Sequence, residues 1–222
     1  MQSSFLYHYQ NIGFQDIFGM LSSLVLLTAL LFSLIHHQSP TKQVLSWCIL
    51  WGVLFIPTPL LLHPLVFYFR GFWGDLSVAT LLIASLSIFK LSILKKVKLL
   101  PEPKMLFSEH QKNTFYKLIA ALGLVFYPLA LGIGYFDPYQ LGFQSSGIEL
   151  ILLSCAFLFL WKKKLLVCQW LILSIVAFRI GLYESSNLFN ILIDPFIWIY
   201  VLSIIIYQYL QNLFFQVKNT KT

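Results

Sequence analysis

Residues 184–200 read ESSNLFNILIDPFIWIY. An acid, Asp194, stands directly before a proline and a run apolar enough to enter a bilayer. Helix N-termini leave backbone N–H groups without partners and carry partial positive charge. Asp is a favoured N-cap, and proline suits the first helical position because its missing N–H had no partner there. Asp194-Pro195 therefore reads as the opening of an apolar helix at a membrane interface. The segment 184–193 before it reads as a loop or a short interfacial helix, with Leu188, Ile191 and Leu192 toward lipid.

Six more apolar runs lie upstream. A bilayer core needs about 20 apolar residues of helix. The seven runs are 17–35, 44–63, 76–94, 115–134, 147–161, 165–183 and 195–215. Pro57, Pro59 and Pro64 predict a kinked or broken end to the second, and Pro128 a kink in the fourth. The longest polar connection, 95–113, is too short for a domain. The expected fold class is thus all-α: a polytopic integral membrane helix bundle of about seven transmembrane helices, with residues 1–222 as one transmembrane domain.

Composition agrees. The chain has 222 residues, 59% hydrophobic and 10% charged, with a mean hydropathy of +0.80. Soluble domains carry about 25% charged residues. The net charge of +7 comes from lysines placed between apolar spans, so it predicts membrane orientation and no nucleic-acid partner.

Seven spans with the N-terminus outside and the C-terminus cytoplasmic put 13 of the 15 basic residues on the cytoplasmic side, leaving Arg70 and Arg179 outside. Residues 1–16 contain no Lys or Arg, so no cleaved secretory signal is expected. High Lys over Arg and short loops fit a bacterial inner membrane.

The acids favour the other side. Asp16, Asp75, Glu149 and Asp194 fall at or near the outward starts of the odd-numbered spans, where capping is the plain reading. A functional reading collects Arg70, Asp75, Asp137, Arg179, Glu184 and Asp194 into one outer-face ligand site. Two guanidiniums there would grip an anionic lipid or lipid-linked phosphate, and an acid would orient them or move a proton. The structural alternative pairs Arg70 with Asp75 and Arg179 with Glu184. Aromatic residues Trp73, Tyr135, Tyr139, Tyr183 and Trp198 read as an outer interfacial belt, and Trp161 as an inner one.

Catalytic and metal motifs are missing from the sequence: HExxH, GxSxG, a P-loop and CxxC do not occur. No metal and no cofactor are expected. GFWGD (71–75) departs from the GxGD signature of intramembrane aspartyl proteases, having Phe72 where glycine belongs. Arg70 to Ser77 resembles, over eight residues, the membrane domains of sulfatase-type lipid head-group transferases. The resemblance points toward envelope lipids and carries over no metal or nucleophile.

The expectation is a non-catalytic component or partner in a cell-envelope process, with the bilayer and a membrane protein as partners. The alternatives are a transporter or flippase of a small or lipid-linked solute, and an integral membrane enzyme acting on lipid-linked phosphate at the outer face.

Overall fold

A computed structural model of the chain describes residues 13–35, 40–55, 64–91, 108–143 and 145–219. The regular elements among them are all helical. They are α1 (Phe14–Ile35), α2 (Pro40–Phe55), α3 (Leu65–Trp73), α4 (Val78–Leu91), α5 (Glu109–Ala130), a 3-10 helix (Pro138–Phe143), α6 (Ser145–Trp161), α7 (Leu165–Arg179), α8 (Leu188–Leu192) and α9 (Pro195–Asn219). Among the described residues, three segments are long and apolar enough to cross a membrane: Phe14–Ile35, Glu109–Ala130 and Pro195–Leu213.

The helices pack through small residues. Lipid tails are as apolar as leucine, so helices in a bilayer gain little from hiding leucine and associate where backbones can approach closely. Gly19, Ser22, Ser23 and Ala29 are buried on α1, and Ala79 and Ala84 on α4, which packs against it. The serines cause no polar penalty, because Ser22 and Ser23 donate back to the Gly19 carbonyl at 2.8 and 3.0 Å.

α7 is the centre of the second group. It packs against α4, α5, α6 and α8, burying Leu166, Val167, Trp170, Leu171, Ser174 and Ala177. The α5 stripe facing inward is Gln111, Phe115, Ile119, Gly123 and Phe126, spaced three or four apart as one helical face. Gly123 lets the Trp198 indole of α9 lie on the α5 backbone; a Cβ there would overlap the ring. Outward faces stay apolar: Leu150, Ile151, Leu153, Phe157 and Leu158 of α6 are exposed.

Several expectations change in detail. α2 is described as far as Phe55, and α3 starts after Pro64. The break expected from Pro57 and Pro59 falls at 56–63, outside the described residues; Pro64 stands just before the start of α3. α5 begins at Glu109, six residues before the expected start, and passes through Pro128 to stop at Ala130, so the proline stands in its last turn. Leu188, Ile191 and Leu192 do not face lipid: they are 0%, 1% and 2% exposed, and α8 is packed against α7 and the 3-10 helix. Tyr183 and Trp198 likewise belong to the interior packing and not to a belt. The Tyr183 hydroxyl donates to the Leu76 carbonyl at 2.9 Å.

Candidate functional site

Arg70 lies in the last turn of α3 and reaches across to α1. The approach depends on Gly19, where a Cβ would overlap the guanidinium and crowd Asp75. Each nitrogen of the guanidinium has its own carboxylate. Nε donates to Asp75 Oδ1 at 3.2 Å, Nη1 to Asp16 Oδ1 at 2.5 Å, and Nη2 to Glu184 Oε1. The Arg70 side chain is only 12% exposed. Burial works against its charge, yet the hydrogen bonds to Asp16 and Glu184 and the Asp75 carboxylate outweigh it and hold Arg70 above the ordinary arginine value.

The cluster also fixes backbone. Asp75 Oδ2 accepts from the Glu184 N–H at 3.3 Å, and Asp16 Oδ2 from the Gly13 N–H at 2.9 Å. Gln15 donates to the Gly181 carbonyl at 3.0 Å. The start of α1, the end of α3 and the turn after α7 are thus tied at one point.

Asp194 forms a second centre. It is 6% exposed and caps two helices at once. Oδ1 accepts from the Ile197 N–H at 2.9 Å, closing the first turn of α9. Oδ2 accepts from the Ser77 N–H at 2.9 Å, the Ser77 hydroxyl at 2.7 Å and the Thr80 hydroxyl at 2.5 Å, at the start of α4. Two helix N-termini carry partial positive charge, so a buried carboxylate is held here with no cation bonded to it among the described residues. The expected cap on α9 is present. The cap expected from Asp75 on the third span is not: Ser77 precedes α4, and Asp75 serves Arg70 instead.

Arg179 and Asp137 stand apart from these centres. Arg179 bonds Glu149 of α6 at 2.6 Å, and not Glu184. Its side chain is 62% exposed while that of Glu149 is 9% exposed, so the arginine covers a carboxylate that sits against the bundle. Asp137 accepts from the Tyr139 N–H at 2.9 Å and opens the 3-10 helix. Both Asp-Pro pairs, 137–138 and 194–195, therefore begin a helical turn. The neighbouring Asn187 does as much: its Oδ1 caps α8 at the Phe189 N–H, and its Nδ2 donates to the Tyr139 carbonyl, each near 2.9 Å (2.9 and 2.8 Å). Gly142 leaves room for that side chain. Only the Asn-x-x-x start of an apolar turn hinted at this in the sequence.

Of the six expected site residues, Arg70, Asp75 and Glu184 meet directly. Asp194 borders the same cleft, a cavity of about 400 Å³ lined also by Trp73, Tyr183, Ser185 and Asn190. Asp16 is the member that the sequence reading left among the caps; its distance of 54 residues from Arg70 gave no local signal. The cleft wall offers Asp75, Glu184 and Asp194, and the guanidinium nearby is bonded to acids at all three nitrogens. Such a wall opposes phosphate and suits a cationic group. Among the described residues, no group of His, Cys, Asp and Glu has the arrangement to hold a metal ion.

No known protein family matches this chain, and no curated protein or solved structure shows significant similarity to it.

Proposed function

We propose that the chain is a seven-span protein of a bacterial cytoplasmic membrane, N-terminus outside and C-terminus inside, and that it is a non-catalytic component or partner in a cell-envelope process. Four shorter apolar helices, Leu45–Leu54, Val78–Phe89, Ser146–Trp161 and Leu165–Arg179, stand beside the three long ones and support a count of seven. The 13-to-2 division of basic residues supports the orientation.

One observation carries the non-catalytic reading: every nitrogen of Arg70 is occupied by a carboxylate of this same chain. An arginine built to hold a phosphate aims its fork at the ligand, whereas this one directs all three nitrogens at carboxylates of its own chain and joins three segments. The first test is native mass spectrometry of protein gently extracted from its host membrane. A stoichiometric second polypeptide is expected. A retained polyprenyl phosphate, lost on Arg70→Ala, would instead make this an enzyme or carrier of lipid-linked phosphate. Orientation is checked in a background lacking Cys48, Cys155 and Cys168. Glu184→Cys is expected to react with an impermeant thiol reagent from outside, and Lys162→Cys only after lysis.

A second reading, transport of a small solute, rests on the 400 Å³ cleft. Its carboxylates would select a cationic solute, so uptake of an organic cation that stops with Asp75→Asn is its test.

A further inference from the structure

The connection between α6 and α7, at the opposite end of α7 from Arg179, carries Lys162, Lys163 and Lys164 in succession. Lys163 has φ of 55°, the only positive φ of any non-glycine residue among those described. The Lys164 N–H reaches back to the Phe159 carbonyl at 2.8 Å and the Lys163 N–H to Leu160 at 2.9 Å, which is the helix ending that normally places glycine at the left-handed position. A lysine there strains the backbone, and a glycine would not.

The turn is nevertheless held firmly. Gln111 of α5 is buried and its Nε2 donates to the Lys163 carbonyl at 2.5 Å. Its Oε1, on the same amide, is buried without a hydrogen-bond partner among the described residues. Lys164 Nζ contacts His110 Nε2 and donates to the Thr114 hydroxyl at 3.0 Å. Among the described residues no carboxylate joins the group: Glu109, the acid at the start of α5, is paired with Lys112 at 3.4 Å. Lys162 and Lys163 are exposed and form no ion pair among the described residues. Trp161, next in line, is 78% exposed and follows the exposed residues Leu158 and Leu160. A tryptophan between apolar helix and lysines sits at the level of lipid head groups.

A strained lysine and an orphaned buried acceptor both weaken the fold. The turn gathers three lysines in succession, one of them beside a histidine, at head-group depth with no acid among the described residues to neutralise them. We propose that this lysine turn, with Lys164, His110 and Thr114 at its side, binds the phosphate head group of an anionic phospholipid. This surface is separate from the acidic cleft and does not depend on how that cleft is used.

The test takes the full-length protein in mild detergent, adds phosphatidylglycerol or phosphatidylcholine of matched chains, and counts retained lipids by native mass spectrometry. The unaltered protein is expected to prefer phosphatidylglycerol. One lysine near a membrane surface is worth about fivefold in binding. Lys163→Gly, which relieves the backbone, is expected to lower the preference about fivefold at an equal or higher Tm. The pair Lys162→Gln and Lys163→Gln, which keeps a side chain at each position, is expected to lower it roughly 25-fold. Equal retention of the two lipids by the unaltered protein, or a preference that neither variant changes, overturns the proposal. Displacement of the lipid by millimolar inorganic phosphate also overturns it, by assigning the turn to a soluble anion.

Discussion

Single residues decide how the polar groups of this bundle are satisfied. At Gly19 the guanidinium of Arg70 occupies the place of a Cβ. Gly19→Ala is expected to displace Arg70 from Asp16 and Asp75 and to destabilise the protein by about 2 kcal/mol, read as a lowered thermal midpoint in detergent. Arg70→Ala should be worse, about 3–5 kcal/mol, because it leaves neighbouring carboxylates without their cation. Adding Asp16→Asn to Arg70→Ala should then recover part of that loss; no recovery would mean that the acids do not repel one another. At Lys163 the sign reverses. Lys163→Gly should stabilise by about 1 kcal/mol, since glycine accepts the left-handed conformation without a Cβ contact. Much of this was readable in the chain and some was not. Asp194-Pro195 announced a cap by itself, because a cap is a local device and its two residues are adjacent. The Arg70–Asp75 pair was visible at a separation of five residues. Arg179 was assigned to Glu184 because the two are also five apart. Its true partner, Glu149, is 30 residues away on the helix that the short lysine turn folds back alongside. Sequence spacing carries information along a helix and almost none across helices.

At the scale of elements, helix positions followed from apolar run length, whereas helix faces did not. In a membrane both faces of a helix are apolar, so the alternation that marks an inner face in soluble proteins is weak. That is why Leu188, Ile191 and Leu192 read as lipid-facing, although α8 presses them into the bundle. The better signal is small residues, and Gly123 is the clearest case. Gly123→Ala is expected to push the Trp198 ring off α5 and to destabilise the α5–α9 contact by about 1–3 kcal/mol. The smaller ring of Trp198→Phe, combined with it, should restore most of the lost thermal stability. Equal melting of Gly123→Ala and the unaltered protein would mean that α9 leans on α5 more loosely than their packing indicates. Prolines, by contrast, told the elements apart well: Pro64 and Pro195 each stand at a helix start, where a missing N–H does no harm.

For the whole molecule, the tertiary structure has two groups of helices, α1 to α4 and α5 to α9. α4 is the member of the first that packs against α7, α8 and α9 of the second. Charge is divided between the ends. Arg70, Asp16, Asp75, Glu184 and Asp194 meet at one end, and the lysine turn lies at the other, a helix of 15 residues away. On the proposed seven-span reading α7 crosses the bilayer, and at about 1.5 Å per residue it is roughly 22 Å long, shorter than a hydrocarbon core of about 30 Å. A local thinning of the bilayer around α7 is the expected accommodation. Reconstitution in bilayers of graded acyl length checks it: thermal stability should be greatest in the thinner ones.

The double cap at Asp194 has a consequence for how the chain comes into being. The start of α4 leaves the ribosome 117 residues before the carboxylate that completes it. At 5–20 residues per second that interval is on the order of ten seconds. Throughout it, the N–H and hydroxyl groups at Ser77 and Thr80 await an acid that does not yet exist. Until α9 arrives that helix start has only Ser77 Oγ and water as acceptors, so the partly made chain lacks one of the bonds that hold α4 in place. Asp194→Asn should prolong this vulnerable state indefinitely, so that pulse–chase labelling finds normal synthesis followed by faster turnover.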